Sequence, residues 1–219
     1  MAVQLNHFRS SLLKQEKQPK PPLFTSYKTR TIRLNTAASS SVQQLIQSGE
    51  VKPILPKDAA TALNSDGFKL LDIRPQWERV KGYVKGSLHV PLFVKDTDNS
   101  PITLLKKWVH FGYIGLWTGQ NFTMINPDFI QEVDAAVSDN KDAKLLVACG
   151  EGLRSMMATS KLYDGGYKNL GWLAGGFNRS ADSDFPEVEG PEKLKYATIG
   201  GVSYYFLKLL LLLQAVGKE

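Results

Sequence analysis

The sequence predicts an α/β fold: a mainly parallel β-sheet flanked by helices, with a disordered targeting segment before it and an apolar helix after it. Three observations predict it. Short apolar runs at 68–73, 143–148 and 169–173 alternate with stretches patterned for helix, as a parallel sheet requires. The runs lead into residues that turn the chain: Arg74-Pro75, Cys149-Gly150 and Gly175-Gly176. The single cysteine therefore closes a buried strand and opens a turn into a helix, at the strand end where open α/β sheets bind ligands.

The elements follow in order. Residues 1–39 hold seven basic residues against Glu16 alone, several Ser and Thr, and Pro19, Pro21 and Pro22, without the continuous apolar stretch of a secretory signal. This is the composition of an organelle transit peptide, and its Ser/Thr content favours a plastid address; an untargeted disordered tail is the other reading. The folded domain is expected over 42–191. A short helix at 42–48 ends at Gly49, and Pro53 confines the extended run at 51–55 to an edge or a turn. Pro56 opens a helix through Leu63. The strongest strand, 68–73, stops at Arg74-Pro75, with a helical turn at 77–80 and a further strand at 87–90.

An insertion at 93–126 carries Trp108, Phe111, Tyr113, Trp117 and Phe122. Its 102–108 stretch is expected to be helical, broken by Gly112, Gly115 and Gly119. It reads either as an aromatic lid or partner surface, or as a flank that buries its own aromatics. Pro127 suits the first turn of a helix whose Phe129, Ile130 and Val133 share a face. After the cysteine, 155–163 reads as a helix ended by Gly165-Gly166.

Charge and cysteine count exclude several functions. The chain has 27 basic and 21 acidic residues; with seven and one of these in 1–39, the remainder holds twenty of each. The folded part has no excess charge for nucleic acid. One cysteine excludes an internal disulfide, a Cys-x-x-Cys pair and a thiolate-rich zinc site. His7, His89 and His110 are dispersed, so no metal and no cofactor is expected. What remains is Cys149 itself. The loop Gly150-Glu151-Gly152 points successive backbone N–H groups, and the positive end of the following helix, at its sulfur. That setting favours the nucleophilic thiolate.

Leu71-Asp72-Ile73-Arg74, then Trp77-Glu78, Gly82, Gly86-Ser87 and Pro91, resembles the first half of a rhodanese domain. Cys149-Gly150-Glu151-Gly152-Leu153-Arg154-Ser155 resembles its active-site loop, and Leu173-Ala174-Gly175-Gly176-Phe177 its closing glycine motif. The resemblance covers about 51–191, and the insertion is similar to that of a small plant group of chloroplast rhodanese-like domain-containing proteins. It implies a sulfurtransferase that carries sulfane sulfur as a persulfide on Cys149, from a small sulfur donor to a thiol acceptor or an acceptor protein. Loop N–H groups from Gly150 to Ser155, with Glu151, Gly152, Leu153 and Arg154, would bind the substrate sulfur. Side chains at 150 and 152 would block this cradle. Arg154 either binds an anionic donor or, as favoured here, pins the loop by pairing with Asp72. Arg74 and Glu78 are expected to form an ion pair beneath the site.

Glu151 sets a carboxylate where a dianionic donor would sit. Two unit charges 4 Å apart cost about 1 kcal/mol in water and roughly 4 at an effective dielectric of 20, so weak use of thiosulfate is expected. Cysteine-dependent phosphatases place five residues between Cys and Arg; here there are four, a tight fit for phosphate. A stronger rival is a catalytically silent binding or tethering module at a plastid membrane. The apolar stretch 199–216 holds one charge, Lys208. It reads as a single membrane span at the lower edge of the required length, or as a helix packed on the domain or lying at an interface.

Overall fold

The computed structural model describes residues 36–216, which all belong to one compact unit. The expected targeting segment lies outside the described residues as far as residue 35. Its last four positions already belong to α1 (Thr36–Gln47), so the helix expected at 42–48 begins earlier. Val42, Leu45 and Ile46, at helical spacing, are turned to the core.

There follow β1 (Val51–Ile54), α2 (Ala59–Asn64), β2 (Lys69–Asp72), α3 (Gln76–Arg79), β3 (Tyr83–Val84), β4 (Leu88–His89) and β5 (Phe93–Lys95). The insertion supplies α4 (Pro101–His110), a π-helical turn (Phe111–Gly115), α5 (Leu116–Thr118) and β6 (Thr123–Ile125). Next come α6 (Phe129–Ala136), β7 (Leu145–Ala148), α7 (Leu153–Asp164), β8 (Leu170–Leu173), β9 (Val188–Glu189) and α8 (Gly201–Val216).

The main sheet has the order β1-β8-β7-β2-β4, and every neighbouring pair is parallel. β7 is buried on both faces along its whole length, which explains its unbroken apolar run. Alternate residues feed two cores. Leu71, Leu145 and Val147 join Phe129, Val133 and Leu162 on one side, while Leu70, Leu146 and Ala148 join Ala59, Leu173 and Phe177 on the other. β2 and β7 lie side by side at the centre, with Asp72 in register with Ala148. The chain segments leaving them, at Ile73-Arg74 and Cys149, emerge together at one edge.

The insertion departs from expectation. Its base is a two-stranded antiparallel pairing of β5 with β6. Its helix runs through Gly112 and Gly115 and stops only at Gly119, in the left-handed conformation at φ 70°. Interior glycines cost a helix about 1 kcal/mol each without breaking it; the terminating residue is the one that must turn the chain. Nor does the insertion bury its aromatics, since Trp108 and Tyr113 are exposed.

The membrane span expected at 199–216 is also corrected. α8 has 16 residues, about 24 Å at 1.5 Å per residue against the ~30 Å of a bilayer core. Among the described residues no helix is long and apolar enough to cross a membrane. Lys208, its one charge, is committed to Glu192 at 2.8 Å.

Candidate active site

Cys149 follows the last residue of β7 and is fully buried from solvent. α7 begins four residues later, at Leu153, so the intervening loop must reverse tightly. Gly152 does this at φ 93°. The backbone N–H groups of Gly152 and Ser155 donate to Sγ at 3.1 and 3.3 Å. The Ser155 hydroxyl stands 3.4 Å from Sγ and itself donates to the Gly152 carbonyl at 2.9 Å. The Trp172 indole N–H clamps that carbonyl from β8, also at 2.9 Å. From the closing glycine segment, the N–H groups of Phe177 and Asn178 donate to the carbonyls of Cys149 and Gly150 at 2.9 and 2.8 Å. The loop is held on three sides with its donors aimed at the sulfur.

The ion pairs differ from those expected. Arg154 does not reach Asp72; its two terminal nitrogens donate to the two oxygens of Glu78 at 2.8 and 2.7 Å. Arg74 does not pair with Glu78; it grips Asp72 through Nε and Nη2 at 2.9 and 2.7 Å, donates to the Gly82 carbonyl, and lies over the Phe177 ring. Arg79 reaches the same Asp72 carboxylate at 3.2 Å. The swap follows from position. Asp72 and Arg74 are two residues apart at the end of one strand, whereas Glu78 sits on α3 facing the start of α7.

Burial opposes ionisation of Asp72, yet the attraction and hydrogen bonds of Arg74, aided by Arg79, hold its carboxyl below the usual range. Burial also opposes the charge of Arg154. The bonds and charge of Glu78, together with the Cys149 sulfur, outweigh it and hold the guanidinium above its ordinary value.

Cys149, though itself buried, is among the residues that line a cavity of about 690 Å³. Glu151, Leu153 and Arg154 line its loop side. The other walls are residues that the sequence did not single out: Thr118 and Gln120 of the insertion, Asn178, Thr198 to Gly200, and Ser203 of α8. Gln120 donates to Glu78 at 3.2 Å and so joins the ion pair beneath the loop. The expected reason for Gly150 is corrected: a Cβ there would meet the Thr198 methyl at 2.4 Å, the cavity wall and not the sulfur cradle. At Gly152 a Cβ would crowd the Gly175 nitrogen at 3.1 Å, on a backbone that side chains rarely adopt. Among the described residues no cluster of His, Cys, Asp and Glu could hold a metal ion.

Comparison with known proteins places this site in context. The family described as "Rhodanese-like domain" matches residues 55–182. Rhodanese-like domain-containing protein 10 of Arabidopsis thaliana is 60% identical over 190 residues, 87% of this chain and 88% of that protein. Rhodanese-like domain-containing protein 11, chloroplastic, of the same plant is 39% identical over 169 residues, 77% of this chain and 57% of that protein. Thiosulfate sulfurtransferase 18 of Arabidopsis is 27% identical over 150 residues, 68% of this chain and 91% of that protein.

Proposed function

The chain belongs to the rhodanese-like family, and from that premise we propose that it is a single-domain sulfurtransferase carrying sulfane sulfur on Cys149. The supporting observation is the Cys149 sulfur, which accepts two backbone N–H bonds at the floor of a cavity large enough for a small substrate. The thiolate attacks the outer sulfur of a donor persulfide. The new Cys149 S–S bond forms as the donor's S–S bond breaks, and the donor leaves as its thiolate. An acceptor thiolate then attacks the outer sulfur of the Cys149 persulfide, takes that sulfur, and returns Cys149 as thiolate. No net oxidation occurs. The Gly152 and Ser155 amides stabilise the negative sulfur in both displacements.

The charge lining favours an organic persulfide over thiosulfate. Arg154 is spent on Glu78, and Glu151 is exposed on the loop without an ion-pair partner among the described residues. Among the described lining residues a dianion would meet a carboxylate and no free cation. Relatives with chloroplast in their names support a plastid setting, with residues 1–39 as the address.

The test is mass analysis of the purified protein after exposure to candidate donors. One added sulfur on Cys149, released by cyanide and absent from Cys149→Ser, is the expected result. A wild-type protein that gains no sulfur from any persulfide donor while remaining folded overturns the proposal and leaves a binding module.

A further inference from the structure

Two helices of this protein are turned inside out. On α4 the inward residues are polar. The Thr103 hydroxyl donates to Asp98 at 2.6 Å, Lys107 donates to the carbonyls of Asp96 and Asp98, and His110 meets the Gln120 carbonyl. The outward residues are Ile102, Leu104, Leu105, Trp108 and Val109, all exposed, within an arc of about 160° at 100° per residue. α8 likewise turns an apolar face outward, although Leu207 and Leu211 share its half-buried side with Tyr204 and Lys208. Tyr204 and Lys208 turn to the domain and bond Glu192. Tyr205, Phe206, Leu209, Leu210, Leu212, Leu213 and Val216 face out, again within about 160°. A helix packed on a water-soluble domain puts these faces the other way round. The insertion and α8 meet where α5 abuts the glycines that open α8.

The chemistry of these faces selects the occupant. Protein interfaces carry roughly one hydrogen bond per 100–200 Å² to fix register, and the outward face of α8 beyond Tyr205 is hydrocarbon alone. Trp108, Tyr113, Trp117 and Tyr205 are exposed, and such half-polar rings suit the boundary between acyl chains and headgroups. The segments 101–118 and 201–216 contain no acidic residue and three lysines, of which Lys107 and Lys208 are paired with Asp96 and Glu192. Lys106 borders the apolar face of α4 with no carboxylate within ion-pair distance among the described residues. Positive charge at an apolar rim complements an anionic bilayer.

We propose that α4 and α8 lie in the plane of an anionic lipid surface, with their outward faces in the acyl boundary and the domain held outside by the Glu192 contacts. This inference does not depend on the sulfur-transfer reading; a protein inert toward sulfur donors could still bind vesicles.

The full chain is floated with vesicles of phosphatidylcholine alone or mixed equally with phosphatidylglycerol. Binding to the mixed vesicles, release by alkaline carbonate, and a blue shift of tryptophan emission are expected. Leu105→Glu with Trp108→Glu, and separately Leu209→Glu with Leu213→Glu, should each reduce the bound fraction at least about tenfold. Lys106→Glu should weaken binding to the anionic vesicles about fivefold or more and spare any binding to neutral ones. These positions are exposed, and circular dichroism checks that the variants fold. Failure of the wild type to float overturns the proposal. So does binding that survives carbonate, which means a span, or a dimer in sedimentation that the same variants split without any vesicle binding.

Discussion

Removing one member of the Glu78–Arg154 pair decides whether the loop arginine is held from below or left for substrate. Glu78 is 1% exposed and the Arg154 side chain 25%, with two bonds of 2.8 and 2.7 Å between them. A hydrogen bond to a charged group contributes about 1.5–3 kcal/mol, so two have a gross worth of about 3–6 kcal/mol. Desolvation of the pair cancels part of this, and the quarter exposure of Arg154 screens a little more. A net coupling of about 2 kcal/mol remains. The single variants should be unequal. Arg154→Ala strands a carboxylate with almost no access to water and should cost about 3–5 kcal/mol. Glu78→Ala strands a guanidinium that can turn outward and should cost about 2 kcal/mol. At roughly 2–4 °C per kcal/mol for a chain of this size, the first lowers Tm by about 10 °C and the second by about half that. Urea denaturation of both singles and the double variant gives the coupling, with Asp72→Asn against Arg154→Ala as the control cycle. A Glu78–Arg154 coupling below about 0.5 kcal/mol, or a larger coupling to Asp72, would refute the assignment.

Three further outcomes follow from the same geometry. Glu151→Gln should lower the KM for thiosulfate at least about threefold by removing charge repulsion; steady-state cyanide assays showing an unchanged KM count against the charge argument. Gly150→Ala should destabilise by about 1–3 kcal/mol through its clash with the Thr198 methyl, and Thr198→Ser, which lacks that methyl, should recover most of the loss in a urea melt. Burial depresses the pKa of His89 despite its Nε2 bond of 2.9 Å to the Arg74 carbonyl. The unfolded chain therefore takes up this proton first as pH falls. The His89 contribution is complete above about pH 6.5 and declines as pH drops toward the folded value. Urea midpoints measured between about pH 7.5 and pH 5 should show this slope, and His89→Gln should flatten it.

The parallel sheet was legible because its central strands are buried on both faces, and such strands must be apolar without interruption. Leu145–Ala148 could be little else. Cys149 was legible because a lone cysteine between such a strand and a glycine-bearing loop has few structural uses. The ion-pair partners were not legible. Sequence order places Arg74, Glu78 and Arg154 near one another in the site but says nothing of which oxygen each nitrogen meets, and the strand-end geometry of Asp72 and Arg74 decides it. The cavity wall was hidden for a different reason. Thr118, Gln120, Thr198 and Ser203 are small or neutral residues that carry no chemical signature, and only folding brings the insertion and the start of α8 over the cysteine. The helical run of the insertion misled through its glycines, because Gly112 and Gly115 are compatible with helix and Gly119 alone among the three adopts the left-handed turn that ends it.

The charges beneath Cys149 also bear on what the site is built to hold. Asp72 and Glu78 face Arg74, Arg79 and Arg154, so this buried or part-buried group holds two carboxylates against three guanidiniums. The unmatched positive charge lies at Asp72, which Arg74 and Arg79 share, whereas Arg154 is matched one to one by Glu78 and also interacts with Cys149. Arg154 lines the cavity, but its guanidinium is already bonded to Glu78, which also accepts from Gln120, so it is not free to recruit an anion from the cavity. A site arranged this way offers an anionic donor no unpaired guanidinium among its described lining residues, which supports the proposed preference for an organic persulfide over thiosulfate.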